Sequence, residues 1–144
     1  MDPKEITKFN GRELYYLVNN EAKTQGIVFI FTTLQGIEEA TALNERATSA
    51  YSGCVDPTDI WTNVDFQGNH KTIHPWNGIG QGSFGNTSWD NNIESVASSI
   101  CNYTKFYDST SYSGSQLWLA TNGWTSWLVP YGWDNRAGSW KIEP

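Results

Sequence analysis

Beyond residue 55 the chain alternates apolar and polar positions in short bursts, each closed within a few residues by Gly, Asn, Asp or Ser. That texture predicts an all-β region of short strands. Four are expected in the last third, at residues 104–107, 116–120, 126–129 and 138–142. Before them come residues 60–63, 71–74 and 93–98, with a glycine-rich run at 77–85. The first 50 residues read differently. Residues 6–9 and 13–18 flank Asn10-Gly11, a turn pair that tolerates positive φ, and predict a hairpin to which a third strand at 26–32 adds. Leu34, Ile37, Ala40, Thr41 and Leu43 recur at helical spacing and predict a short helix from Leu34 to about residue 47. Glu38 and Glu39 would sit near its positive end.

Two textures meet near residues 50–54. All eight tryptophans lie after residue 60, whereas residues 1–50 hold more than half of the Lys and Arg. The expected organisation is a small α+β segment over residues 1–50 and a β domain over 54–144. If the first docks on the second, an open strand edge is the place for it, because edges otherwise offer unpaired backbone groups.

Within the β domain one phrase occurs twice. An aromatic, four residues, a second aromatic, one residue and a glycine give Trp61, Phe66 and Gly68, then Tyr107, Tyr112 and Gly114. A second phrase follows each copy: Trp89-Asp90-Asn91-Asn92-Ile93-Glu94-Ser95 and Trp133-Asp134-Asn135-Arg136-Ala137-Gly138-Ser139. Gly68 and Gly114 are 46 residues apart, Asp90 and Asp134 are 44 apart, so a two-residue length change superimposes the copies. Two phrases in one order at nearly one period indicate a duplicated unit. Four strands per copy and two copies fit a mainly β, two-sheet sandwich of Greek keys.

The aromatic-x4-aromatic-x-Gly pattern followed by Asp/Asn-Asp/Asn-x-x-Ser/Thr-Ser resembles the Greek-key motif of the βγ-crystallins, including their microbial calcium-binding members. The similarity covers roughly residues 54–142 and leaves the N-terminal third unexplained. Gly68 and Gly114 are expected at a bend closed to side chains with a Cβ, with Trp61, Phe66, Tyr107 and Tyr112 packed over it. Asp-Asn is a common turn pair taken alone, but its repetition in register favours calcium loops, since Ca2+ takes six to eight oxygens from carboxylates, amides and backbone carbonyls.

The resemblance implies that each of two ions is shared between the copies, a loop from one meeting a hydroxyl side chain and a backbone carbonyl from the other. It assigns Asp90, Asn91, Asp134 and Asn135 to the loops, and the backbone carbonyls of Asn92 and Arg136 with them. The carbonyls of Val64 and Thr110 would complete the shell, and Ser95 and Ser139 would hold the loops by hydrogen bonding. The chain departs from the pattern at the hydroxyl ligand, which is Glu94 in the first copy and Gly138 in the second. Glutamate offers one or two charged oxygens and glycine none, so unequal sites are expected: one competent, built on Glu94, and one weak.

Composition narrows the alternatives. A formal charge of −6 and a sequence pI of 4.7, without clustered basic residues, argue against nucleic acid and anionic membranes as partners and suit a hard cation. No apolar run is long enough to cross a bilayer, and the first residues lack the apolar run of a secretory signal. The wealth of Trp, Asn, Ser and Gly leans towards a mature secreted protein, with a cytoplasmic one as the alternative; a monomer is expected. Cys54 and Cys101 lie seven and six residues ahead of Trp61 and Tyr107, so they occupy nearly equivalent positions. Equivalent positions in a twofold pair can meet, and a disulfide there would contribute up to ~4 kcal/mol by the chain-entropy model; two buried thiols are the other reading.

No catalytic residue is expected. His70 and His74 are too few for a closed zinc site and read as a solvated strand face. Two binding readings stand beside calcium. Trp76 and Trp124, next to Asn-Gly turns, are candidates for exposure and for stacking on a polysaccharide, whereas Trp118 and Trp127 look buried. Small secreted metalloprotease inhibitors share a similar two-motif domain, and the stretch from Pro75 to Trp89 offers a loop for a peptidase.

Overall fold

The computed structural model describes residues 11–19, 25, 27–47, 55–76, 79–120, 128 and 132–143. In chain order its elements are β1 (Tyr15–Val18), β2 (Phe29–Phe31), α1 (Leu34–Ala47), β3 (Thr58–Asn63), β4 (Gln67–Ile73), β5 (Gly80–Ser83), β6 (Ser95–Ala97), β7 (Tyr103–Tyr107), β8 (Gln116–Leu119) and β9 (Ser139–Glu143). They form a six-stranded sheet, β2-β1-β8-β7-β9-β5, and a three-stranded sheet, β4-β3-β6.

The two copies are β3 to β6 and β7 to β9, and they interlock. β5 belongs to the first copy but pairs antiparallel with β9 of the second. In the opposite direction Leu128 of the second copy donates its N–H to the Glu94 carbonyl at 2.9 Å, the counterpart of Phe84 N–H donating to the Gly138 carbonyl at 2.9 Å. The first copy thus lends its third strand to the other copy's sheet, and Leu128 returns a single matching bond, as in a two-motif Greek-key β-sandwich. Inward-facing alternate positions, among them Ile60, Val96, Phe106, Leu117, Leu119 and Ile142, meet between the sheets with no exposed surface. The hydroxyls of Thr58 and Thr104, equivalent residues of the two copies, meet at 2.6 Å in this interior and mark the pseudo-twofold axis.

The N-terminal strands join the same sheet. β1 runs parallel to β8, extending the ladder with Gln116 N–H to the Leu14 carbonyl at 2.9 Å and Ala120 N–H to the Val18 carbonyl at 3.0 Å. β2 closes the edge antiparallel to β1. Tyr15-Tyr16-Leu17-Val18 is apolar at every position because both faces are covered, as in a buried parallel strand. Leu14, Tyr16 and Val18 enter the main core, while Tyr15 and Leu17 turn outward to a second cluster with Trp118, Phe29, Phe31 and Ile37 of α1.

The helix has the predicted bounds, but the two acids do not reach its positive end. Glu38 and Glu39 lie beyond its first turn, and Thr33 caps it instead, its Oγ1 accepting Gly36 N–H at 3.1 Å. The glycine-rich run at 77–85 contains strand β5, which the pattern hides. Gly80 and Gly82 stand where the Trp140 ring lies against the strand: a Cβ at Gly82 would come within 2.7 Å of Nε1. Trp118 is buried as expected, though under the helix and not in the sandwich. The first arm of the expected N-terminal hairpin, most of the strand at 126–129, Trp124, Trp127 and the 50–54 boundary lie outside the described residues. So does Cys54, and with it the Cys54–Cys101 pairing. Among the described residues no helix is long and apolar enough to cross a membrane.

Candidate metal centre

The bends between paired strands place everything else. In the first copy Asp65 and Phe66 adopt φ of 56° and 59° and Gly68 80°; in the second, Tyr112 has 59° and Gly114 85°. Such left-handed backbone costs a residue with a Cβ, so something must hold it. The aromatic pairs lie over each bend, Trp61 against Phe66 at 4.9 Å and Tyr107 against Tyr112 at 6.1 Å between centroids. A serine pins each from the other end of its copy. Ser95 Oγ donates to the Asn63 carbonyl at 2.6 Å and accepts Phe66 N–H at 3.2 Å. Ser139 Oγ donates to the Ser109 carbonyl at 2.7 Å and accepts Tyr112 N–H at 3.1 Å.

The two Asp-Asn loops face each other across the axis. Asn91 and Asn135 both take left-handed φ, 53° and 52°, a conformation asparagine tolerates better than most residues. Asn91 N–H donates to the Ala137 carbonyl at 3.1 Å, and Asn135 N–H donates to the Ile93 carbonyl at 2.9 Å. Since Ile93 and Ala137 are themselves equivalent, this is one contact made twice. It brings the oxygen-bearing residues of both copies into one region.

Side chains then break the symmetry. Glu94 Oε1 accepts from Asn135 Nδ2 at 3.2 Å, joining the first copy's ligand position to the second copy's loop. At Gly138 there is no room for a counterpart: a Cβ would lie 2.7 Å from the Ser109 carbonyl carbon and 2.9 Å from Thr110 N, both backbone atoms. Asp90, in the loop facing Gly138, keeps Oδ1 buried without a hydrogen-bond partner. Val64 spends one lone pair of its carbonyl on Gln67 N–H at 3.3 Å, and Thr110 is exposed beside Gly85.

Several features of the region had no signal in the chain. Arg136 reaches from the second loop to Asp108 Oδ2 at 3.0 Å and to the Gly132 carbonyl at 3.3 Å, its guanidinium 4.7 Å from the Trp133 ring centroid. Burial works against its charge, but hydrogen bonds with Asp108 and Tyr16 more than offset that and raise its pKa. Elsewhere His70 bonds Asp59 Oδ1 at 2.8 Å and stacks on Trp61, while His74 lies past the end of β4. Four residues span roughly 13 Å of extended chain, too far for the two rings to share an ion. Among the described residues no three His, Cys, Asp or Glu side chains converge as a metal cluster.

No family model matches the chain, and no curated protein does. Solved structures do. One, from work on the evolution of the eye lens βγ-crystallin domain fold, is 13% identical with a TM-score of 0.54, over 64% of this chain and 89% of that one. A double mutant of clostrillin in complex with nickel is 14% identical with a TM-score of 0.50, over 61% and 98%. A βγ-crystallin from an archaeon is 20% identical with a TM-score of 0.47, over 60% and 96%. The chain has a βγ-crystallin-like fold.

Proposed function

We propose that the protein is a non-catalytic calcium-binding domain stabilised by its ion. The observation that carries this reading is the reciprocal pairing of the two loops, which sets the Glu94 carboxylate 3.2 Å from the Asn135 side chain across the axis. Glu94, the carboxamide and carboxylate of Asn135 and Asp134, and the backbone carbonyls nearby supply the hard oxygens that Ca2+ prefers. Rotation of the Asn135 amide would turn its oxygen, in place of its nitrogen, towards Glu94 and an ion between them. The facing centre has Asp90 with a spare buried oxygen but only Gly138 opposite, which supports a second, weaker site.

Calorimetric titration tests the reading. One stronger event that disappears in Glu94→Ala, with or without a weak second event, is expected; two equal tight sites, or no heat at all, would overturn it. A melt with chelator and one with excess Ca2+ should differ, since at 100-fold excess over the dissociation constant the ion contributes ~2.7 kcal/mol.

One observation favours a second reading. Trp76 is 83% exposed, and its backbone pairs with that of Ile79, its N–H donating to the Ile79 carbonyl at 2.7 Å and the return bond at 3.1 Å. An exposed indole suits a polysaccharide face. Tryptophan fluorescence unmoved by a polysaccharide panel would remove that reading.

A further inference from the structure

The N-terminal strand is packed into the second Asp-Asn loop. Tyr16 of β1 is 8% exposed and meets the fully buried Trp133 edge-on, with centroids 5.8 Å apart at 80°. Arg136 lies over both rings, 4.7 Å from that of Trp133 and 5.7 Å from that of Tyr16, and its far end is tied to Asp108 at 3.0 Å. These residues flank Asn135, whose N–H bonds Ile93 and whose side chain bonds Glu94. The first loop is held otherwise. Its residue equivalent to Arg136 is Asn92, which bonds back to the Ser88 carbonyl at 3.0 Å within its own turn, and Trp89 is only half-buried.

We infer that β1 is a positioning element for the Glu94–Asn135 centre, so that docking of the N-terminal strand and cation binding favour one another; this rests on the calcium reading above. Tyr16 and Arg136 clamp Trp133, and with it the left-handed turn at Asn135, so the loop is ordered before an ion arrives. An ion that prefers the ordered loop must then favour the docked strand by the same factor. Among the described residues no ring and cation clamp the first loop in this way, and it has no share in this coupling.

The test uses the full chain and Ca2+ titration of wild type, Arg136→Gln, Tyr16→Leu and Tyr16→Phe. Arg136→Gln removes a positive charge near a cation site, which by Coulomb's law alone would tighten binding. The coupling predicts the opposite, a weakening of about fivefold or more, of the size usual for linked sites. Tyr16→Leu should do the same, and Tyr16→Phe, which keeps the ring but loses the hydroxyl bonded to Arg136, should weaken binding less than Tyr16→Leu. Hydrogen exchange supplies a second readout: Ca2+ should slow the amides of residues 16–18 in wild type and leave them unchanged in Glu94→Ala. A wild type that binds Ca2+ while Arg136→Gln, folded by circular dichroism, binds equally or more tightly overturns the coupling alone. A wild type that binds no Ca2+ overturns the calcium reading and the coupling with it.

Discussion

The loops at Asp90–Ser95 and Asp134–Ser139 have one backbone and two chemistries. Both turn through asparagine at positive φ, both end on a serine that pins a folded bend, and both donate an N–H to the other. What they do not share lies at the positions whose side chains leave the loop: Asn92 against Arg136, Glu94 against Gly138, and the half-buried Trp89 against the fully buried Trp133. The repeated positions are those that set the backbone, and the divergent ones are those whose side chains reach beyond it. The second copy is also the one on which the N-terminal strand packs.

Breaking the comparison begins with the tryptophans. Trp133→Ala removes a side chain enclosed by Tyr16, Arg136 and the core, and should cost about 3–5 kcal/mol in urea unfolding. Trp89→Ala, at the equivalent but half-buried site, should cost clearly less; equal losses would show that the N-terminal strand adds nothing to the burial of the second loop. Next comes Gly138→Ser, which would place at that position the hydroxyl that the sequence resemblance expects. Because its Cβ meets the backbone at Ser109 and Thr110, destabilisation of about 1–3 kcal/mol is expected with no gain in calcium binding. A folded variant with two strong binding events would refute the steric argument.

The serines sharpen the likeness instead. Ser95→Ala and Ser139→Ala each strand a backbone carbonyl and an N–H, and each should cost about 1–3 kcal/mol with a similar shift in denaturation midpoint. The smallest effect concerns alkali. Burial, with the charge of Glu143 adding to it, pushes the Tyr107 hydroxyl up to about 12 from 10.0. The unfolded chain ionises first, so this stabilising share is complete below pH 10 and is lost as pH rises from 10 to 12. Tyr107→Phe should flatten that part of the stability curve. Trp61→Phe, at the equivalent place in the first copy, should not.

Much of the sandwich was legible because its signals are local. The aromatic-x-Gly bends, the Asp-Asn turns and the final serines are each read within about six residues, and their repetition supplied the long-range order that one copy could not. Strand β5 escaped because its glycines answer to Trp140, some 60 residues away, and not to any alternation of their own. The acids expected by the positive end of α1 fall beyond its first turn, and the hydroxyl of Thr33 caps that end. His70 was legible as exposed, yet its partner Asp59 lies on a neighbouring strand that only the register brings close.

The amino-acid order alone determined that the chain holds a duplicated β unit with oxygen-rich turns, one helix from residue 34 to 47, and an acidic balance suited to cations. These follow from periodicity and turn chemistry, which neighbouring residues dictate. Only the tertiary structure decided that β1 runs parallel to β8, that Tyr16 and Arg136 close over Trp133, and that Gly138 has no space for a side chain. Those depend on which surfaces meet across a hundred residues, and complementary shape and desolvation choose that pairing, not the local pattern.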